Sequence, residues 1–185
     1  MIVGLMTVLV VGFFARPAQA QVSPAEPGDH RGPAVSVTLG GGYSADASTG
    51  GIARTVAVDI GWFVARRFGV LVGLTAVTRG EDEWMAYNVL HLAVEYWTGS
   101  GWYVRTALGN FRAARLRPIE GWLGSTTGED LGLGVGALFA AGRPVWSWRR
   151  VALNLQVTAG AGLFPDDAAS KGAGFIVTGL ELAVQ

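Results

Sequence analysis

The chain has 185 residues, the size of one ordinary domain, and its 14 Lys and Arg residues equal its 14 Asp and Glu residues. That balance argues against a nucleic-acid partner, and the absence of cysteine excludes a disulfide scaffold, thiolate metal sites and a cysteine nucleophile. Only 15% of the residues are charged and 50% are apolar, yet no stretch beyond the N-terminal segment approaches the ~20 apolar residues of a spanning helix.

Met1 to Phe14 is almost wholly apolar, with no Lys or Arg ahead of it, and Ala18-Gln19-Ala20 forms an A-x-A cleavage pattern. This predicts a cleavable secretory signal peptide over residues 1–20. Residues 21–33 hold three prolines among polar residues and read as a flexible periplasmic lead-in. Residues 34–185 form the domain proper.

From Ala34 onward the dominant period is two, the mark of strands with unlike faces. The first run sets Val35, Val37, Leu39 and Tyr43 against Ser36, Thr38, Gly40 and Gly42. The second sets Val56, Val58, Ile60 and Trp62 against Thr55, Ala57, Asp59 and Gly61. In the third, Phe68, Val70, Val72 and Leu74 oppose small residues and Leu71. The fourth opposes Leu90, Leu92, Val94 and Tyr96 to His91, Ala93 and Glu95. The fifth places Trp102, Val104 and Leu108 across from Tyr103, Arg105, Ala107 and Gly109. Leu131, Leu133, Val135 and Phe139 alternate with glycines in the sixth, and Leu153, Leu155 and Val157 with polar residues in the seventh. The eighth sets Ile176, Leu180, Leu182 and Val184 against Gly179, Glu181 and Ala183. Alternating glycines and the lack of a following helix make the LGLGVG stretch at 131–136 a false dinucleotide fingerprint.

Eight such runs fit a closed antiparallel barrel, either soluble or transmembrane. A soluble barrel needs a charged outer face, and the second face here is glycine, alanine, serine and threonine with few charges. Small residues suit the interior of a narrow barrel, so the aliphatic face meets lipid. The expected fold is all-β: an eight-stranded antiparallel up-and-down transmembrane β-barrel. Aromatic residues gather toward one end, with an interface girdle of Trp62, Phe68, Tyr96, Trp102, Phe139, Trp146 and Trp148, and with Phe63, Trp97 and Tyr103 in the same band. Tyr43, Trp84, Phe111, Trp122, Phe164 and Phe175 fall toward the other end.

With the first strand rising from the periplasm, the outer connections span 44–51, 79–85, 112–128 and 164–172. The inner ones span 63–67, 98–101 and an unusually long 142–149. Arg66, Arg67, Arg143, Arg149 and Arg150 lie inside without acids, and Glu81, Asp82, Glu83, Glu129, Asp130, Asp166 and Asp167 lie outside. The simple reading is solvated loop ends. A sharper one has the outer acids sharing divalent cations with lipopolysaccharide, and Arg112, Arg115 and Arg117 pairing with its phosphates.

Inner-face residues suggest a lumen charge network. A turn at 99–101 puts Glu95 opposite Arg105, Trp97 opposite Tyr103 and His91 opposite Gly109. Asp59 and Glu181 also point inward as partners for Arg105, since a buried carboxylate without a partner is costly.

These features together resemble small outer-membrane β-barrel proteins of the OmpA-barrel and OmpX type, and residues 60–70 (IGWFVARRFGV) look like the first periplasmic hairpin of that group. The resemblance covers about residues 34–185. It implies a monomer in the bacterial outer membrane, inserted by the β-barrel assembly machinery among lipopolysaccharide and other lipids. It also implies a non-enzymatic structural or surface-interaction role with no cofactor and no metal. The chain departs from the group at Ala183-Val184-Gln185, where a terminal aromatic is usual. Two alternatives are an enzyme acting on lipid A and a narrow conduit for small solutes. For the first, His30 lies in the flexible lead-in and His91 points inward with no serine within a few residues; the second needs space that eight strands scarcely leave.

Overall fold

The computed structural model describes residues 31–80, 84–118, 126–164 and 172–184, with the side chains of 116–118 and 126–129 excepted. The expected signal peptide and nearly all of the lead-in lie outside the described residues. So do Glu81, Asp82, Glu83, Trp122, Asp166 and Asp167, and the side chains of Arg117 and Glu129. Eight strands close into a ring in chain order, each antiparallel to the next, with β1 sealing against β8. They are β1 (Gly32–Asp46), β2 (Gly50–Ala65), β3 (Phe68–Arg79), β4 (Trp84–Trp97), β5 (Tyr103–Pro118), β6 (Thr126–Trp148), β7 (Val151–Leu163) and β8 (Gly172–Val184).

Following partners around the ring fixes the stagger. Val35 pairs with Ile60, then Val72, Leu92, Leu108, Ala137, Ala161 and Gly174, and the circuit returns to β1 at Ala45, ten residues further on. At roughly 3.3 Å per residue and 4.8 Å between strands, that offset tilts the strands by about 40°. Such a tilt lies within the range of membrane barrels. β1 starts and β8 ends on the side that carries the short turns at 66–67, 98–102 and 149–150; short turns mark the periplasmic end of membrane barrels, and that end is called the inner one.

The aliphatic residues face out and the small and polar ones face in. Ile60 is 60% exposed, Leu92 58% and Leu180 49%, whereas Asp59, Glu95 and Glu181 are each 2% or less. A one-residue slip would have exchanged these faces. The outward side is the lipid-facing belt of a membrane barrel.

Several boundaries differ from the sequence reading. β1 begins at Gly32, two residues inside the expected lead-in, because Gly32 and Pro33 already pair with Phe63 and Trp62. The inner connection at 142–149 is mostly strand: β6 continues to Trp148, a register shift between Pro144 and Trp146 absorbs the proline, and only Arg149-Arg150 forms the turn. Arg149 adopts φ 54° there, a conformation that two-residue hairpin turns demand. At the outer end β5 and β6 stay paired as far as Pro118 and Thr126, which shortens the expected loop at 112–128 to 119–125. Hydropathic alternation stops where lipid stops, but the hydrogen-bond ladder does not need lipid.

The interior is less bland than its glycines suggest. Three aromatic doublets split across the wall: Trp62, Tyr96 and Trp102 lie on the outer face, while their neighbours Phe63, Trp97 and Tyr103 are buried in the lumen. Phe111, Phe164 and Phe175, expected near an interface, are also buried inside. Glycine makes room for them. A Cβ at Gly142 would meet the Tyr103 ring at 2.6 Å, and one at Gly162 would strike the Phe111 ring.

Candidate functional site

The lumen fills in layers. Nearest the inner end Phe63, Trp97 and Tyr103 form a floor, with Trp97 and Tyr103 ring centroids 5.1 Å apart. This contact follows from their direct pairing across the β4–β5 hairpin.

Above that floor three carboxylates converge on one guanidinium. Arg105 donates from Nε (2.8 Å) and Nη2 (2.5 Å) to Glu95 Oε2, from Nη1 to Asp59 Oδ2 (2.8 Å) and from Nη2 to Glu181 Oε1 (2.7 Å). Glu95 and Arg105 are register partners, as are Asn154 and Glu181. Neutral donors satisfy other carboxylate lone pairs. Trp97 Nε1 donates to Glu95 Oε1 (2.7 Å), and Asn154 Nδ2 and the Tyr103 hydroxyl reach Glu181 Oε2 (2.7 Å each). His91 Nε2 lies 2.9 Å from Asp59 Oδ1, while Nδ1 lies 3.2 Å from Val89 O, so both ring nitrogens are engaged. All five residues of the expected network therefore meet in one cluster, with His91 touching it only through Asp59. Fixed charges held this way can position strands. The guanidinium fills the centre that a metal ion would need.

A cavity of about 20 Å³ follows, lined by Thr38, Thr55, Thr75, Thr158, Asp59, His91 and Arg105 among others. That is space for roughly one water molecule. An aromatic plug closes the outer half: the Phe111 ring centroid lies 5.8 Å from that of Tyr87, 5.7 Å from Phe164 and 6.4 Å from Phe175.

At the outer mouth Arg79 donates to Asp46 Oδ2 (2.6 Å), Thr49 O (2.8 Å), Thr49 Oγ1 (2.8 Å) and Ser44 O (3.1 Å), and Tyr87 donates to the same Asp46 oxygen (3.0 Å). Asp46 is the last residue of β1, at the start of the first outer turn and beyond Tyr43, the last large apolar residue on the outer face of that strand. Burial opposes its ionisation, but hydrogen bonds from Ser48, Thr49 and Arg79 outweigh that and hold the carboxyl well below the usual carboxylate range. An open vestibule of about 770 Å³ lies at this end, lined in part by Asp46, Arg79, Trp84, Met85 and Arg115. The sequence reading missed this latch. The parity of its fourth run, extended back from His91 to Tyr87, would have pointed Tyr87 inward.

The expected phosphate-binding arginines diverge. Arg112 is on the outer face of β5, exposed, with Nη2 2.7 Å from Asp130 Oδ2. Arg115 lines the vestibule, and the Arg117 side chain lies outside the described residues. Arg54, not singled out from the sequence, faces outward on β2 between Ile52 and Val56.

Of the girdle, Trp62, Phe68, Tyr96, Trp146 and Trp148 are exposed near the inner end. Trp102 is half-buried beneath Arg143, whose Cζ lies 5.7 Å from the ring centroid. Phe139 departs from the expected band. It pairs with Thr106 and Ala159, near the middle of β7, and so faces mid-bilayer lipid.

Solved structures define the class. The chain resembles Neisserial surface protein A (TM-score 0.59, 11% identity, 82% of this chain and 96% of that one). It also resembles Ail, the attachment invasion locus protein of Yersinia pestis (TM-score 0.54, 10% identity, 83% and 99%). No protein-family model matches, and no curated protein matches by sequence. The fold is that of small eight-stranded outer-membrane β-barrel proteins.

Proposed function

We propose that this chain is a non-enzymatic outer-membrane protein with a structural and surface-contacting role, its outer rim binding lipopolysaccharide phosphates. The observation that carries the reading is the filled lumen. Two plugs leave room for about one water between them, which leaves the outer surface as the working part. His91, the natural base for acyl chemistry, is buried beside Asp59 and away from lipid. Arg112 and Arg54, on the outer faces of β5 and β2, and Arg115 of β5 at the vestibule, all stand at the outer end, where lipid A presents phosphates, and guanidinium suits such groups through paired N–H donors. The Arg112–Asp130 pair is exposed, so exchanging its partner costs little.

The test is retention of lipopolysaccharide by purified protein, comparing wild type with the Arg112→Gln, Arg115→Gln double variant. A several-fold loss is expected with heat-modifiable gel mobility unchanged, and equal retention overturns the outer-rim contact. Incubation with lipopolysaccharide should leave lipid A masses unchanged, and any new acylation product refutes the non-enzymatic reading.

A further inference from the structure

At its inner end the barrel presents a group of arginines. Arg66 and Arg67 form the β2–β3 turn, Arg149 and Arg150 the β6–β7 turn, and Arg143 projects from the outer face of β6; all five are exposed. Among the described residues no acid shares this rim. Asp59, Glu95 and Glu181, the nearest, point into the lumen and are bonded there. Two of these arginines lie against indole rings. Arg143 Cζ lies 5.7 Å from the Trp102 ring centroid and Arg149 Cζ 4.8 Å from that of Trp148. Trp148 belongs to the exposed aromatic band that marks where hydrocarbon ends. A guanidinium laid on an indole keeps its N–H edge available for a phosphate while its apolar faces are covered. These cations thus stand in the headgroup layer.

We propose that the inner rim is a binding collar for anionic phospholipid headgroups of the phosphatidylglycerol type in the leaflet it stands in. The placement of Arg143 favours lipid over a soluble polyanion. It lies on the lipid-facing side of β6, where a periplasmic partner would have to displace lipid to reach it. Arg149 and Arg150 then take the same phosphates from below.

The experiment reads which lipid sits against the protein. The folded protein is reconstituted in phosphatidylcholine vesicles containing brominated phosphatidylglycerol or brominated phosphatidylcholine, and quenching of tryptophan fluorescence gives their relative occupancy. Each basic side chain at an anionic surface contributes roughly fivefold, and shared contacts reduce the product, so enrichment of about tenfold or more is expected. The Arg143→Gln, Arg149→Gln, Arg150→Gln variant should fall to near parity with heat-modifiable mobility intact, while Arg54→Gln with Arg112→Gln should keep the enrichment. No enrichment in wild type overturns the proposal, as does enrichment that survives the inner triple variant or disappears with the outer pair. Binding of dextran sulfate by wild type without lipid enrichment would assign the rim to a soluble polyanion, and would equally overturn it.

Discussion

Replacing Arg105 with alanine takes away the cation on which Asp59, Glu95 and Glu181 converge. Four charge-assisted hydrogen bonds disappear, two to Glu95 and one each to Asp59 and Glu181. Removing one partner of a buried ion pair costs about 3–5 kcal/mol, because the charges left behind are uncompensated. Here the stranded carboxylates keep other partners: Trp97 on Glu95, Tyr103 and Asn154 on Glu181, His91 on Asp59. Water can also enter the vacated space from the adjoining cavity. Both effects favour the lower end, about 3 kcal/mol, or roughly two orders of magnitude in the unfolding equilibrium. With a slope of ~2 kcal/mol per molar urea, the midpoint should fall by ~1.5 M. Tryptophan fluorescence during urea titration in detergent reads this, with heat-modifiable gel mobility as an independent probe. Adding Glu95→Gln and Glu181→Gln to the alanine variant should restore much of the loss, since the repulsion goes with the charges. A midpoint within ~0.3 M of wild type would refute the reasoning, as would a triple variant no better than Arg105→Ala.

Two further outcomes follow from the other layers. Asp46 is depressed in the folded state, so its contribution is fully present above the ordinary carboxylate value of ~3.9 and is lost as pH falls below it. Asp46→Asn should therefore destabilise the protein by about 1–3 kcal/mol at pH 7, and the gap from wild type should narrow progressively in urea titrations as pH falls below about 4; a gap independent of pH contradicts the latch. Gly162→Ala should cost about 1–3 kcal/mol, because its methyl group enters the space of the Phe111 ring and the surrounding plug is tightly packed. An unchanged thermal midpoint would mean that the ring has room to move.

The period-two pattern was enough to place the main run of every strand on the right face, because a membrane barrel exposes one face to hydrocarbon and cannot tolerate a parity error. Leu131, expected on the lipid side, is the exception, since the register shift opposite Ala113 and Ala114 packs it against the core at the vestibule. The pairing of Glu95 with Arg105 was equally legible, since a short turn fixes hairpin register. What alternation could not convey was volume. Phe63, Trp97 and Tyr103 stand next to outward aromatics in sequence, so band position alone grouped them with the girdle, and only the facing glycines reveal the space they fill. Strand ends were poorly legible for a related reason. Beyond the lipid belt no solvent contrast separates the two faces of 143–148 or 112–118, although the backbone still needs partners. The Asp46–Arg79–Tyr87 latch joins three strands near the outer rim, at positions beyond the runs that the pattern marked.

The polar cluster also bears on how the ring stays shut. Its contacts differ widely in separation along the chain: Glu95 and Arg105 are 10 residues apart, Asp59 and Arg105 46, and Arg105 and Glu181 76. The first can form within one hairpin, whereas the last joins β5 to β8, a strand that also pairs with β1 across the closing seam. Apolar residues could fill the same volume, but dispersion carries no directional preference among strands of similar shape. A guanidinium with donors fixed in a plane does, since it satisfies its acceptors on β2, β4 and β8 only in one register around the ring. Lipid outside a barrel gives little drive for strands to associate in a particular order, so specificity has to come from the ladder and the lumen. Glycine on the walls serves this arrangement by admitting Tyr103, whose hydroxyl completes Glu181 on the far side. The small residues and the charged cluster are thus parts of one solution to the same narrow space.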